Sequence, residues 1–362
     1  MESQNLIYEL DYAELAELIA GWEQPAYRAL QIWQGLYQQF YTQPDQFTAL
    51  PHSLRLRLSE HFNRTTSQKE ATFSHLALSA VLNSADQATQ KSLFRLPDQR
   101  LIETVLMRYD RRRTLCISSQ SGCAMGCVFC ATGQMGFGRS LSSGEIIEQV
   151  LYYARQLAQQ GEQVTNVVLM GMGEPFHNYD ATLAAIDRLN HSQGMNLGAR
   201  RFTISTVGLV PAIRRFAAER RQVNLAISLH AAEDELRSSM LPVNKRYPLE
   251  ELMAACQEYV QQTRRRLTFE WALIERVNDT PEQARRLALM LNKLRVDGTL
   301  LCHVNAIPLN PTRKYKGKAT SQNRAQAFKY ELESAGIPCT IRLRRGIDIQ
   351  AGCGQLAGQD IE

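Results

Sequence analysis

The amino-acid sequence predicts an α/β protein in which helices cover a largely parallel sheet. Apolar runs typical of buried strands, such as 164–170 and 223–230, alternate with segments of helical periodicity, such as 248–263. Glycine-rich or polar residues follow the strands directly, as at 171–174. Parallel α/β sheets and barrels place their active sites at these strand ends. We therefore expect a functional site at the carboxyl edge of the sheet.

Residues 1–70 are predicted to form a small helical domain at the N-terminus. Residues 12–19 carry apolar side chains at helical spacing, and Gly21 follows as a stop signal. Pro25 and Pro51 each open another helical segment. Arginine and aromatic residues in these helices are typical of an RNA-binding accessory domain, which is the role we expect. A domain that only packs on the rest of the chain has a similar composition and is the alternative.

Residues 71–112 are predicted to form a β-rich segment that precedes the main domain in the sequence. Three short strands, at 76–82, 91–96 and 101–107, are separated by turns. Glu103 lies among the apolar residues of the third strand. A buried carboxylate is costly unless it is paired or used in chemistry. An outward-facing position in the strand is the alternative.

Residues 113–346 carry the strand–helix alternation and are predicted to form the main domain, with a C-terminal loop at 347–362. The predicted strands of this domain are 115–117, 164–170, 201–205, 223–230, 267–274, 300–308 and 339–343. The predicted helices are 143–159, 180–191, 210–220, 248–263, 280–295 and 320–335. This order is typical of a parallel sheet whose strands are connected by helices.

Three cysteines, Cys123, Cys127 and Cys130, lie in one short loop at spacings of four and three. Three thiolates in a tight loop suit a [4Fe–4S] cluster that leaves one iron without a protein ligand, where a small molecule can bind. Phe129 can shield such a cluster from water. A zinc site whose fourth ligand lies elsewhere in the chain is the alternative.

Polar side chains at the strand ends form a second group of candidate residues. Glu174 follows Gly173 and offers a carboxylate to an ammonium group, while the glycine lets a ligand approach the backbone. Other strands end in side chains that form hydrogen bonds, namely Ser205, Ser228, His230 and Asn310. Their order behind the cysteine loop, more than any one of them, indicates a ligand site.

Composition and charge narrow the class of protein. The chain has no apolar run of membrane-spanning length and no visible secretory signal, so we expect a cytoplasmic protein without a membrane partner. Its eight cysteines then indicate metal or redox chemistry in a reducing compartment. The net charge is only +5, but four local clusters favour a phosphate-rich partner. These clusters are Arg111–Arg113, Arg264–Arg266, Arg342 with Arg344–Arg345, and Lys314 with Lys316 and Lys318.

Residues 113–142, which include the three cysteines, and residues 347–358 resemble the RlmN/Cfr family of radical S-adenosylmethionine (SAM) RNA methyltransferases. The resemblance extends over nearly the whole chain and is weakest in residues 1–70. It implies a partial (β/α)6 barrel behind the helical domain and the short β extension. It also implies methylation of C2 of adenosine in 23S rRNA and in tRNA, with an electron donor such as flavodoxin. Methylation of C8 and a non-catalytic, zinc-containing RNA-binding protein are the alternatives.

The resemblance assigns roles to residues of this chain. Cys123, Cys127 and Cys130 match the cluster ligands, and Cys353 matches the cysteine that carries the methyl group. Cys116 matches its resolving partner in a transient disulfide. Glu103 matches the proton acceptor of the family. The residues that match the SAM contacts are Gly173, Glu174, Ser205, Ser228, Leu229, His230 and Asn310. Gly352 departs from the family pattern, which has alanine there.

The chemistry that the resemblance implies has a physical reason. C2 of adenine lies between two ring nitrogens and is a poor nucleophile. It therefore cannot attack the methyl group of SAM directly. The family instead uses two SAM molecules per turnover, one to methylate Cys353 and one as a radical source. A structural disulfide between Cys116 and Cys353 is the alternative to a transient one. The remaining cysteines are predicted to be buried apolar residues, namely Cys256, Cys302 and Cys339.

Overall fold

Three α-helices form the N-terminal domain of the computed structural model, which describes residues 6–62, 64–65 and 71–358. They are α1 (Tyr12–Gly21), α2 (Tyr27–Tyr37) and α3 (His52–Phe62). Asp11 begins α1 with a capping box, because its carboxylate accepts from the Glu14 N–H at 2.9 Å while the Glu14 carboxylate accepts from the Asp11 N–H at 2.7 Å. The predicted helical domain is confirmed, although α1 includes Gly21. After α3, a short antiparallel pair joins Arg64–Thr65 to Ala71–Thr72.

A mixed sheet of ten strands forms the centre of the described residues. Its strands, numbered along the chain, are β1 (Ala77–Asn83), β2 (Thr89–Arg95), β3 (Leu101–Arg108), β4 (Arg113–Cys116), β5 (Asn166–Leu169), β6 (Phe202–Thr206), β7 (Asn224–Ser228), β8 (Leu267–Leu273), β9 (Cys302–Pro308) and β10 (Cys339–Ile341). Neighbours in the chain are neighbours in the sheet, with β1 at one edge and β10 at the other. The sheet is therefore an open, partial barrel.

Strands β4 to β10 are parallel, whereas β1 to β4 pair antiparallel. The helices that follow the cysteine loop are α4 (Ala131–Met135), α5 (Ser143–Ala158), α6 (Tyr179–Asn190), α7 (Val210–Ala218), α8 (Asp234–Met240), α9 (Leu249–Thr263), α10 (Pro281–Leu291) and α11 (Gln322–Ser334). Six of them, α5, α6, α7, α9, α10 and α11, connect successive parallel strands. The predicted (β/α)6 arrangement is confirmed, and a seventh parallel strand follows the sixth unit. The predicted β extension is the antiparallel part of the same sheet.

The remaining elements are short. An antiparallel pair, Gln120–Gly122 with Phe137–Ser140, encloses the cysteine loop, and another joins Arg295–Val296 to Thr299–Leu300. Single 3₁₀ turns occupy Ile7–Glu9, Pro44–Gln46, Pro175–Asn178, Ala199–Arg201 and Pro242–Lys245. Across the described ranges, no helix combines the length and the apolar character needed to cross a lipid bilayer.

Glu9 fastens the N-terminal domain to the barrel. Its carboxylate accepts from the Gly144 N–H at 3.0 Å and from the Ser143 hydroxyl, at the first turn of α5. An anion is stabilised there by the unpaired N–H groups and the dipole of the helix. Arg188 donates to the carbonyl oxygens of Tyr8 and Glu9 from α6. The accessory domain is thus anchored at the start of the first barrel helix.

Candidate active site

The cysteine loop begins at a turn that requires glycine. Gly122 has φ of +77°, and a Cβ there would lie 2.1 Å from the carbonyl oxygen of Gly136. The N–H of Cys123 donates to that same oxygen at 2.8 Å, and the N–H of Cys130 donates to the carbonyl of Cys127 at 3.2 Å. These contacts turn Cys123, Cys127 and Cys130 towards one open cavity of about 980 Å³, here called the reactive cavity.

The donor set of this cavity fits an iron–sulfur cluster. Burial raises the pKa of Cys123 to about 12 and that of Cys127 well above its ordinary value. Thiols in such surroundings ionise when a cationic metal group binds, because metal ligands must be thiolates. Among the described residues, no three His, Cys, Asp or Glu side chains converge on a point where one metal ion could bind. Three thiols that line one open cavity leave room for a group larger than a single metal ion.

The strand-end residues line the wall opposite the cysteines. Gly173, Glu174, Ser205, Ser228, His230 and Asn310 all face the reactive cavity. The Glu174 carboxylate is buried and accepts from the Val207 N–H at 2.8 Å and from the Phe176 N–H at 3.0 Å. Burial raises its pKa to about 7. These bonds hold Glu174 at the end of β5, where a ligand ammonium group can meet it.

The imidazole ring of His230, which lines the same cavity, is neutral. Burial lowers its pKa to about 3, and the positive charge of Arg237 adds to that effect. Nδ1 of His230 accepts from the Ala272 N–H at 2.9 Å, so the ring proton is on Nε2. The ring packs edge-to-face on Phe129, with centroids 5.0 Å apart. Phe129 thus lies between the cysteine loop and the strand ends, as its proposed shielding role requires.

Leu229 is the predicted SAM contact that does not line the cavity. Its side chain is fully buried in the hydrophobic core between the two residues that do line it, Ser228 and His230. Its N–H donates to the carbonyl of Glu270, and its own carbonyl accepts from Arg237. Alternation along a strand explains the difference, since neighbouring side chains point to opposite faces.

A second cavity, of about 810 Å³, adjoins the first and contains both remaining candidate cysteines, Cys116 and Cys353. Cys353 lines both cavities. Although Cys353 is solvent-accessible through them, the surrounding protein and the charge of Glu270 raise the pKa of its thiol to about 11. Burial and the neighbouring Cys353 thiol raise the pKa of Cys116 further. All eight cysteines lie in the described ranges and are free thiols, so the structure holds no disulfide.

Hydrogen bonds position the loop that carries Cys353. Nδ2 of Asn310 donates to the Cys353 carbonyl at 3.0 Å. Oε1 of Gln355 accepts from the Gly352 N–H at 3.1 Å, and its Nε2 donates to the carbonyl of Pro311 at 3.0 Å. A Cβ on Gly352 would lie 2.6 Å from Nδ2 of Asn310. The departure from alanine at this position therefore gives the Asn310 amide room.

Glu103 lies behind the loop and lines neither cavity. It is only 4 % exposed on β3, so the outward-facing alternative is wrong. Its Oε1 lies 3.2 Å from Nζ of Lys91 on β2, and its Oε2 accepts from the Ala357 N–H at 3.1 Å. Burial raises the pKa of Glu103, and the charge of Lys91 opposes that shift.

Two residues of this region were not predicted. Lys91 is the ion-pair partner of Glu103, and Glu270 on β8 lines both cavities. Oε1 of Glu270 accepts from the Asn305 amide at 3.0 Å, while Oε2 is buried and has no partner within the described residues. The signal for Glu270 was the same as for Glu103: a carboxylate inside an apolar strand. Lys91 gave no comparable signal.

Two family models match the chain. The N-terminal domain of ribosomal RNA large subunit methyltransferases matches residues 4–63, and the radical SAM superfamily matches residues 117–288. The first match coincides with the N-terminal helices and the second with the cysteine loop and most of the parallel strands.

Relatives match almost end to end. A probable dual-specificity RNA methyltransferase RlmN of Chloroflexus aurantiacus is 48% identical over 361 residues, which cover 98% of this chain and 93% of the relative. The dual-specificity RNA methyltransferase RlmN 1 of Myxococcus xanthus is 46% identical, covering 97% and 93%. The crystal structure of a radical SAM methyltransferase from Sphaerobacter thermophilus is 47% identical, covers 98% of this chain and 99% of its own, and superposes with a TM-score of 0.91.

Proposed function

Because the chain belongs to the RlmN family of radical SAM RNA methyltransferases, we propose that it methylates C2 of adenosine in 23S rRNA and in tRNA. The observation that carries the proposal is the position of Cys353. This thiol lines the cavity that contains the three loop cysteines and also the cavity that contains Cys116. A methyl group on Cys353 would be within reach of ligands in both.

Membership of the radical SAM superfamily implies a [4Fe–4S] cluster and SAM. We assign the cluster to Cys123, Cys127 and Cys130, and the contacts to SAM to the strand-end residues of the reactive cavity. When bound, the cluster and SAM supply a reducing electron and a deoxyadenosyl radical. In this assignment Glu174 would accept hydrogen bonds from the ammonium group of SAM, and the neutral His230 would donate one from Nε2.

Cys353 carries the methyl group in the proposed reaction. As a thiolate it first attacks the methyl carbon of one SAM, so that a carbon–sulfur bond forms and S-adenosylhomocysteine leaves. Removal of a hydrogen atom from this S-methyl group leaves a methylene radical that joins C2 of the adenine and links RNA to protein. The linked species would give one electron back to the group that supplied it and then lose the C2 proton. Two SAM molecules are consumed in each turnover. The high pKa of the free Cys353 thiol means that its proton must be removed before the first displacement.

Glu103 and Cys116 complete the reaction. Glu103 takes the proton of C2, and Lys91 favours the ionised form that this requires. The thiolate of Cys116 then attacks the sulfur of Cys353, and the bond from that sulfur to the methylene carbon breaks. That carbon takes up a proton from solvent, and the methylated RNA leaves. The disulfide formed by Cys116 and Cys353 is transient and must be reduced again. An electron donor such as flavodoxin is the partner that we propose for the radical step.

The alternatives have less support. Methylation of C8 would use the same cysteines, but the relatives reported above carry the RlmN name. A zinc-containing RNA-binding protein would give no role to Cys116 or Cys353. The described residues also contain no group of three converging His, Cys, Asp or Glu side chains that could bind a zinc ion.

Anaerobic turnover with product analysis tests the proposed function. The protein is purified without oxygen and incubated with SAM, a reductant and either 23S rRNA or tRNA, and the nucleosides are analysed by mass spectrometry against 2-methyl- and 8-methyladenosine standards. We expect about four irons per chain and 2-methyladenosine from both RNAs. Cys123→Ala should lose the cluster and all methylation. Cys256→Ala, which removes a fully buried cysteine that lines neither cavity, is the matched control. 8-Methyladenosine, or one zinc and no product, would contradict the proposal.

A further inference from the structure

A third cavity lies at the opposite end of the barrel from the reactive cavity. Its floor is formed by polar residues near the amino ends of the parallel strands, namely Thr203, Asn224, Thr268, His303 and Asn305. The carboxyl ends of the same strands carry Ser205, Ser228 and Ile307, which line the reactive cavity. The third cavity is open and measures about 1540 Å³. The residues of one strand that line the two cavities are two to four positions apart, or roughly 7–13 Å, and no residue lines both cavities, so they are separate sites.

Five arginines surround this cavity, which we call the arginine cavity: Arg112, Arg200, Arg264, Arg265 and Arg266. No aspartate or glutamate lines it. Arg264 forms an ion pair with Asp297, but the other four have no carboxylate partner in the part of the chain that the structure describes. Arginines elsewhere on the barrel, by contrast, pair with two carboxylates each, as do Arg214, Arg215 and Arg286.

A neutral amide holds two of these guanidinium groups close together. Oε1 of Gln222 accepts from Nη2 of Arg200 at 3.1 Å and from Nη1 of Arg265 at 3.0 Å. Nη2 of Arg265 is held by Oδ1 of Asn224 at 2.9 Å. Two like charges in one place repel each other, and here no carboxylate offsets the repulsion. The arrangement therefore favours an anion.

We propose that the arginine cavity binds the phosphate backbone of the RNA substrate, as a second contact remote from the methylated base; this inference rests on the proposed function. Guanidinium forks match phosphate oxygens in charge and geometry. The cavity is open and its arginines come from three separate segments of the chain, so it suits a segment of backbone rather than a single phosphate. No base-reading role is implied, since the lining offers mainly charge and hydroxyl groups.

Binding and turnover of the holoenzyme with long and short RNA test this contact. The triple variant Arg200→Gln/Arg265→Gln/Arg266→Gln is compared with Arg214→Gln/Arg215→Gln/Arg286→Gln, which removes the same charge elsewhere. For a full-length tRNA substrate, we expect the cavity variant to bind at least tenfold more weakly at low salt. The slope of log affinity against log salt should fall by about 2, since each lost phosphate contact contributes roughly 0.7–0.9. The control variant should change the affinity less than threefold and leave the slope unchanged.

A short RNA hairpin centred on the target adenosine separates this inference from the proposed function. A hairpin too short to contact the arginine cavity while its adenosine occupies the reactive cavity should be methylated at equal rates by wild type and cavity variant. If wild type methylates neither full-length tRNA nor 23S rRNA, the proposed function is wrong, whatever the affinities are. Equal loss of tRNA affinity in both triple variants, or no loss in the cavity variant with an unchanged melting temperature, would overturn the second contact. Tripolyphosphate should displace tRNA from wild type; tight binding of tripolyphosphate without displacement would identify a free-anion site and overturn the RNA assignment.

Discussion

Cys353 and Cys116 have the same side chain but face different surroundings. Cys353 stands between two open cavities, whereas Cys116 lines only the second of them and is partly covered at the end of β4. The pKa of both thiols is raised, that of Cys116 the further. An exposed thiol can take up a methyl group from one ligand and present it to another. A covered thiol suits a single attack on the neighbouring sulfur late in the reaction.

Single substitutions should separate the two roles. We expect Cys353→Ala to leave RNA free, because no methyl group is taken up. Cys116→Ala should allow the early steps and then accumulate a covalent RNA–protein adduct, visible as a slow band on a denaturing gel. Glu103→Gln should accumulate the same adduct with its C2 proton retained. Cys302→Ala, at a buried site outside both cavities, is the control. Equal destabilisation by both mutations without any adduct would contradict this division of roles.

Lys91 should control the pH at which Glu103 can accept a proton. The charge of Lys91 lowers the pKa of Glu103, which burial otherwise raises. Lys91→Met therefore raises that pKa further, so more of Glu103 is protonated at a given pH. The acidic limb of the rate–pH profile should move to higher pH, and the free energy of unfolding should fall by about 3–5 kcal/mol at neutral pH. Lys91→Arg keeps the charge and should restore the profile. An unchanged acidic limb in Lys91→Met would contradict the assignment of Glu103.

The sequence predicted the residues that are grouped by short spacings along the chain. It did not predict pairs that depend on the register between neighbouring strands. The cysteine loop and the strand-end residues follow from spacing along the chain, and the structure places all but Leu229 around one cavity. The pair of Lys91 and Glu103 could not be predicted, because it depends on the exact antiparallel register in which Leu93 lies opposite Glu103. The partner of a buried charged residue lies on a neighbouring strand, so it cannot be identified from the strand that carries the charged residue.

At the scale of elements, helix α5 is tied to the segment that leads into β1 by one buried carboxylate. Glu148 accepts from the Ser74 hydroxyl at 2.7 Å, from the His75 N–H at 2.8 Å and from the Leu76 N–H at 3.1 Å. Glu148→Ala should lower the free energy of unfolding by roughly 2–4 kcal/mol, since it leaves these donors buried and unpaired. Urea unfolding measures the loss, and Glu17→Ala on the exposed face of α1 is the control.

Glu148 also predicts a pH dependence of stability. Burial raises its pKa to about 7, above the value of about 4.3 in an unfolded chain. Between these values the folded state binds more protons, so the contribution of Glu148 is fully present below about pH 4 and is lost as the pH rises through 7. The difference in unfolding free energy between wild type and Glu148→Gln should therefore shift by at most about 4 kcal/mol across this range. A difference that stays constant from pH 4 to 8 would contradict the raised pKa.

The strand and helix order was predictable because parallel strands carry long apolar runs and their helices are amphipathic. Predicted bounds such as 248–263 differ from the observed Leu249–Thr263 by a single residue. The antiparallel extension was recognised as strands, but its union with the parallel strands in one sheet was not. That union is made by β4, which pairs antiparallel with β3 and parallel with β5, and no local pattern distinguishes such a strand. The domain limits at 70, 112 and 346 stay predictions.

At the scale of the whole molecule, the basic cluster Arg111–Arg113 is not uniform. Arg113 is engaged in a bidentate ion pair with Glu162, whereas Arg111 is exposed. Arg111→Glu should weaken RNA binding several-fold at low salt and leave the melting temperature unchanged, because only a phosphate contact is lost. Arg113→Glu should lower the melting temperature by placing two carboxylates together. Filter binding and thermal melting provide the two measurements. Salt-independent RNA binding by wild type would contradict an electrostatic contact.

The contact between Glu103 and the Ala357 N–H links residues 254 positions apart. Ribosomes add about 5–20 residues per second, so roughly 10–50 s pass between the synthesis of the two partners. For that interval the carboxylate of Glu103 remains uncovered by the C-terminal loop, and the cysteine loop has already been made without Cys353 beside it. A nascent chain can thus order its cysteine loop before Cys353 exists. The loop that carries Cys353 closes later, over a site whose other parts have already been made.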